Sequence, residues 1–274
     1  MRELRAGSST EMGQPRGMWL RPVGRLAVLL LALSIGHWAG WAKEEAKPAH
    51  SAVTPVPREG GWMQRHELIN SRAKPGDIQL LFLGDSITQG WENKDVQDKV
   101  WSKFYGSRKP MNAGIGGDRT QHVLWRLDHG NIDGISPKLA VIMIGTNNSN
   151  GDDNTAAEIA DGIKAIVGKL REKTPSTKIL LLAIFPRNNA KTPEAREKQT
   201  KKINDVNSQI AKLDDGQHVF FKDIGKVFLD EKGELPKEVM PDLLHLSTDG
   251  YRRWAEAIEP DVARLLGEPA AEKK

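Results

Sequence analysis

Cysteine is absent from all 274 residues. That excludes a disulfide scaffold, thiolate zinc or iron–sulfur ligation, thiol catalysis and a lipid-modified N-terminal cysteine. Long apolar runs are absent too. The longest, Leu26 to Ile35 (LAVLLLALSI), is half the roughly 20 residues a membrane-spanning helix needs. No HExxH pair, carboxylate cluster or spaced histidine set is present, and His66, His122, His129 and His218 lack partners suited to a metal, so no metal is expected. The sequence also lacks a GxGxxG fingerprint with a downstream acid, which argues against a dinucleotide, and no cofactor is expected. Tyrosine is scarce at two residues and no internal repeat is visible, whereas 38% hydrophobic residues with 26 glycines suffice for a folded core.

The charge excess is local. The chain carries 40 basic and 36 acidic residues, but residues 1–42 hold five arginines against two glutamates, so the remainder is nearly balanced at 35 to 34. Basic residues interleaved with acids are a solvated surface, and no nucleic-acid partner is expected. Arg16, Arg21 and Arg25 precede the apolar run, and small residues follow it to Ala42. This is the pattern of a secretory signal peptide over 1–42, cleaved near Ala42, with Met18 as the expected start of translation. The mature protein is then expected to be exported, periplasmic or secreted, and not embedded in a membrane. Residues 43–60 (KEEAKPAHSAVTPVPREG) combine proline, charge and small side chains without periodicity and predict a flexible linker.

From Trp62 onward apolar runs alternate with amphipathic stretches. Strands are expected at Ile78–Leu83, Met111–Ile115, Leu139–Ile144, Lys178–Phe185 and His218–Phe221. Helices are expected at Trp62–Ile69, Gln97–Tyr105, Gln121–Leu127, Thr155–Lys173, Glu194–Leu213 and Thr248–Leu266. Strands that are continuously apolar are buried on both faces, and βαβ alternation makes the sheet parallel. The expectation is one three-layer α/β domain over 61–268 with five parallel strands, followed by a disordered tail at 269–274.

In such sheets ligands bind beyond the carboxyl ends of the strands. The segments found there are GDSITQGW (Gly84–Trp91), NAGIGGD (Asn112–Asp118) and GTNN (Gly145–Asn148), with PDLLHLSTDGY (Pro241–Tyr251) near the end of the chain. Ser86 stands between a strand end and a helix start, where its hydroxyl is presented and its N–H is a free helical donor. On GDS alone, a helix cap accounts for it equally well. Asp242 lies three residues before His245, so it can accept from one imidazole nitrogen while the other faces Ser86, the arrangement of a serine hydrolase. Asp249 is better placed as a helix-start residue. The Ser86 and Gly117 N–H groups and the Asn147 amide are candidate donors to an oxyanion. Gly116-Gly117 and Asn147-Asn148 each suit an ordinary turn, yet their joint occurrence, each behind its own strand, points to a site. Asp85 is a candidate support of the serine loop. Trp91, Trp101 and Trp125 are candidates to line a carbohydrate or acyl pocket, helix packing being the more ordinary role of the latter two.

GDSI, the glycine of GIGGD, the first asparagine of GTNN and the DxxH pair resemble, in order, the four blocks of the SGNH (GDSL-type) hydrolase superfamily. GIGGDRTQHVLWRLDHG, GTNN, GIKAIV, DLLHLS and GGWMQRH are similar to segments of the type I platelet-activating-factor acetylhydrolase catalytic subunits. The resemblance spans about residues 60–267 and implies a flavodoxin-like α/β/α hydrolase. It implies Ser86 as nucleophile, His245 as base, Asp242 as its orienter, and Gly117 and Asn147 beside Ser86 in the oxyanion hole, and it suggests a homodimer. Ile87 replaces the leucine of the family name. Those relatives are cytosolic, whereas the leader predicts export. The resulting expectation is a serine esterase of short acyl groups, chiefly acetyl, acting on small acyl esters or acetylated carbohydrate. The competing readings are a lysophospholipase, a thioesterase, or a noncatalytic glycan-binding module on the same scaffold.

Overall fold

The computed structural model describes residues 49–269. The expected signal peptide, its cleavage point and all but the first residue of the expected tail lie outside the described residues. After a short 3-10 turn at Ser51–Val53 the elements run α1 (Gly61–Ala73), β1 (Leu80–Gly84), α2 (Ser86–Gln89), α3 (Lys94–Val96), α4 (Ser102–Tyr105), β2 (Pro110–Gly114), α5 (Thr120–Leu127), β3 (Leu139–Met143), α6 (Ala156–Lys173), β4 (Lys178–Leu182), α7 (Pro193–Ile210), β5 (Val219–Lys222) and α8 (Thr248–Leu266). The five strands form one sheet in the order β2-β1-β3-β4-β5, every pair parallel. This is the doubly wound, flavodoxin-like order, whose topological switch lies between β1 and β3.

Both faces of the sheet are covered. Leu81 and Leu83 of β1 point into a core shared with α1, α5, α6 and α7, while Leu80 and Phe82 point into a second core built with α4 and α8. The second core is rich in aromatics: Phe82 lies 4.9 Å from Tyr105 and 5.0 Å from Trp101, and Trp91 lies 4.6 Å from Tyr251 and 4.9 Å from Trp254. These tilted and edge-on contacts suit ring quadrupoles. Trp91 is fully buried there, so it lines no pocket, and Trp101 is 6% exposed in the same cluster. Trp125 is half-buried and stacks on His129.

Helix boundaries follow local chemistry. A reciprocal cap between Thr155 and Glu158 starts α6, and Thr192 with Pro193 starts α7. Where one helix was expected over Gln97–Tyr105, the helical path starts earlier at Lys94 and passes through a π turn at Gln97–Trp101. Ser102 Oγ donates to the Gln97 carbonyl within it, at 2.8 Å. β4 ends at Leu182 rather than Phe185 because Asn207 of α7 takes over the Ile184 backbone, accepting from its N–H and donating to its carbonyl.

The linker expectation is corrected over residues 49–60, which are docked on the domain. Ala52 is fully buried and its carbonyl accepts from Thr120 Oγ1 at 2.7 Å. Asn154 Nδ2 donates to Ser51 Oγ, Val56 N–H to the Gln121 carbonyl, and Arg58 Nη1 to the Gly116 carbonyl. A segment without periodicity can still be ordered when partners on another element satisfy its backbone.

Candidate active site

Three strand ends and the loop before α8 converge at the switch point. β1 ends at Gly84, and the chain turns at Asp85 into the four-residue α2, of which Ser86 is the first residue. Asp85 caps this turn, its Oδ1 accepting from Ile87 N–H at 2.9 Å. The Asp85 side chain is wholly buried, and burial pushes its carboxyl up to about 7. The Ile87 N–H opposes that rise, the charge of Asp118 adds to it, and His245 opposes it. Tyr251 of α8 donates to the Ile87 carbonyl at 2.7 Å, tying α2 to the last helix. The turn that carries Ser86 is thereby held by its own cap and by the last helix.

His245 Nε2 lies 3.0 Å from Ser86 Oγ, and its Nδ1 lies 2.7 Å from Asp242 Oδ2. The other carboxylate oxygen of Asp242 accepts from the N–H groups of His245 (2.7 Å) and Leu244 (3.0 Å). Burial raises the Asp242 carboxyl, but the hydrogen bonds of His245 and Leu244 and the imidazole charge outweigh it and leave it below the ordinary value. Within this turn Leu243 takes a left-handed conformation, φ 60°. Its carbonyl accepts from Asn188 N–H and its own N–H donates to Met240, so the strained turn is braced on both sides. Asp249, by contrast, is in the first turn of α8 and pairs with Arg252 and Arg253.

The loop after β2 carries Gly116 and Gly117. Gly117 has φ +76°, and a Cβ there would meet the Arg58 guanidinium at 3.0 Å. Asp118 beside it is fully buried and forms an ion pair with the equally buried Arg126. Arg126 also donates to Ala113 of β2 and Gly84 of β1, binding two strand ends to the loop. Trp62 Nε1 donates to Asp118 Oδ1 at 2.6 Å. Asn147, in the loop after β3, donates from Nδ2 to the Asp118 carbonyl at 2.9 Å. One amide hydrogen is thus spent on orienting the side chain and the second is left for a ligand.

All six residues singled out in the sequence therefore meet at the strand ends: Asp85, Ser86, Gly117, Asn147, Asp242 and His245. Such an array can pass the Ser86 proton to His245 and hold a negative oxygen with N–H donors. Sequence reasoning missed three contributors. Arg187, only 8% exposed, donates to the Thr146 carbonyl and to Asn189 Oδ1. Burial lowers its pKa, while the charges of Asp85 and Asp242 raise it. Its place just beyond β4 was the available signal. The Asp118–Arg126 pair and the Arg58 contact carried no comparable signal, because each depends on a pairing across the fold.

The sequence profile of the GDSL-like lipase/acylhydrolase family matches residues 82–253. The chain is 33% identical over 223 residues to the platelet-activating factor acetylhydrolase IB subunit alpha2 of Rattus norvegicus, covering 81% of this chain and 93% of that protein. It is 33% identical over 230 residues to the corresponding alpha1 subunit of Homo sapiens, covering 84% and 94%. Among solved structures, a carbohydrate acetylesterase from Sinorhizobium meliloti shares the fold with a TM-score of 0.53 at 20% identity, over 68% of this chain and 99% of that one.

Proposed function

Since the chain belongs to the GDSL-like lipase/acylhydrolase family and is a carboxylic ester hydrolase, we propose that it is an exported serine esterase of short acyl groups, chiefly acetyl, borne on carbohydrate. Ser86, His245 and Asp242 are its catalytic triad. The observation that carries this reading is the continuous pair of contacts from Ser86 Oγ to His245 Nε2 (3.0 Å) and from His245 Nδ1 to Asp242 Oδ2 (2.7 Å).

In this mechanism His245 removes the hydroxyl proton as Ser86 Oγ bonds to the acyl carbon. The carbonyl oxygen becomes an oxyanion held by the Ser86 and Gly117 N–H groups and the free Asn147 amide hydrogen. Collapse breaks the bond to the alcohol oxygen, which leaves with the proton from His245. Water then gives a proton to the same imidazole and bonds to the acyl carbon; collapse breaks the Ser86 ester, returns that proton from His245 to Ser86 Oγ and releases the acid. Asp242 keeps Nδ1 protonated and stabilises the imidazolium throughout. Asp85 and Arg187 position the loops and do not touch the reacting atoms.

The acetyl preference is supported by the names of the relatives, an acetylhydrolase and a carbohydrate acetylesterase. Export rests on the sequence of residues 1–42, and N-terminal sequencing of the mature protein tests it: a first residue near Lys43 is expected, and an intact leader would overturn it. The activity is tested with 4-nitrophenyl esters from acetyl to long-chain acyl. Serine-dependent turnover falling with chain length is expected, with Ser86→Ala losing at least about a thousandfold in kcat and keeping its fold. Turnover rising with chain length would replace the reading by a lipase-type one, and undiminished turnover in Ser86→Ala would remove Ser86 as nucleophile.

A further inference from the structure

Beside Asp242 lies an open cavity of about 330 Å³ whose lining includes Asn188, Lys191, Arg196, Lys237, Asp242 and Leu243. Its volume is at the lower end of small-molecule sites. Three different parts of the chain supply its cations: Lys191 from the loop after β4, Arg196 from α7, and Lys237 from the segment leading to the DxxH turn. None of the three forms an ion pair among the described residues. Arg196 spends its Nε on the Ala190 carbonyl, at 2.8 Å, and keeps its terminal nitrogens. Of the neighbouring acids, Glu194 is turned onto its own helix start and Thr192, and among the described residues Glu197 and Glu238 make no salt bridge with these cations. Asp242 is the one carboxylate in the lining, and both its oxygens already accept from the His245–Leu244 turn. Three cations against it leave a net charge of +2 within reach of solvent.

We propose that this cavity is a subsite for a carboxylate on the sugar portion of the substrate, so that the enzyme deacetylates acidic, uronate-bearing oligosaccharides. The inference rests on the carbohydrate esterase reading above and names its substrate class. Only the His245 ring separates Asp242 from Ser86, which sets the cavity beside the site where a bound sugar ester is attacked. The cations share the lining with the exposed side chain of Asn188, which suits a carboxylate on a hydroxyl-rich ring.

The test measures acetate release from an O-acetylated oligouronate and from its carboxyl-reduced, uncharged counterpart, at low and high sodium chloride. 4-Nitrophenyl acetate serves as the reference for the chemistry. Wild type is expected to show a KM about tenfold lower on the charged oligosaccharide, the sum of two or three solvent-screened pairs, and the advantage shrinks with salt. The ratio of the two KM values should approach one in Lys191→Gln/Lys237→Gln and invert in Lys191→Glu/Lys237→Glu. Equal KM values for the two oligosaccharides in wild type, or a preference that survives in both variants, would overturn the subsite while leaving the carbohydrate esterase standing. Hydrolysis of 4-nitrophenyl acetate with no acetate released from either oligosaccharide would instead remove the carbohydrate reading, and this inference with it.

Discussion

Asn147 and Asp85 show how single side chains are tuned by what holds them. Asn147 is fixed by the Asp118 carbonyl at 2.9 Å, which aims its other amide hydrogen before any substrate arrives. Asn147→Ala should therefore lower kcat by about a hundredfold or more with little change in KM, as for other lost oxyanion donors. Steady-state kinetics on 4-nitrophenyl acetate checks this, and a change confined to KM would assign Asn147 to substrate binding alone. For Asp85 burial pushes the folded-state carboxyl up to about 7, above the 3.8 of an ordinary aspartate. The native state then binds the proton more tightly than the unfolded chain, so stability is full below about pH 4 and declines as pH rises toward 7. Asp85→Asn keeps a capping oxygen and removes the titration. Its stability relative to wild type should improve across that window by up to about 4 kcal/mol, the equivalent of three pK units. Urea unfolding at pH 4 to 8 reads this directly; a difference that stays constant with pH would contradict it.

At the scale of elements, α2 is the piece that turns a serine into a candidate nucleophile, and its position depends on close packing against β2. A Cβ on Gly114 would collide with the Gln89 amide and lie 2.7 Å from the Thr88 carbonyl carbon. Both of those atoms are backbone and neither can rotate away. Gly114→Ala should cost about 1–3 kcal/mol by overpacking and displace α2 enough to separate Ser86 Oγ from His245 Nε2. The check is a paired measurement of melting temperature and kcat. Unchanged kcat would mean that α2 is anchored mainly by the Tyr251 contact to Ile87 rather than by β2.

On the scale of the whole molecule, the site is assembled by the 2-1-3-4-5 strand order, which sets the ends of β2, β1 and β3 side by side and opens a crevice at the switch point between β1 and β3. The segment 49–60 wraps this assembly from outside the strand–helix pattern. Its removal unsatisfies Thr120 Oγ1 and Asn154 Nδ2 and takes away the Arg58 donor to the Gly116 carbonyl. A chain starting at Gly61 should lose about 1–3 kcal/mol relative to one starting at Lys43. That corresponds to a melting temperature lower by roughly 2–4 °C per kcal/mol, with kcat reduced through the loosened Gly116–Gly117 loop. Calorimetry of the two chains decides it, and coincident transitions would show that the segment contributes nothing to stability.

The sequence by itself determined the five strands, the parallel sheet, the flanking helices and all six residues that meet at the strand ends. Those features depend on local order: apolar runs buried on both faces, and short polar motifs placed directly after them. The His245–Asp242 contact was legible for the same reason, since both residues lie in one turn. Only the tertiary structure decided that Trp91 belongs to the core, that 49–60 is docked, that Asp118 pairs with Arg126 behind the Gly116–Gly117 loop, and that Lys191, Arg196 and Lys237 share one cavity. Each of these joins residues distant in the chain, and their partners are selected by burial and charge across the fold, where sequence spacing carries no information.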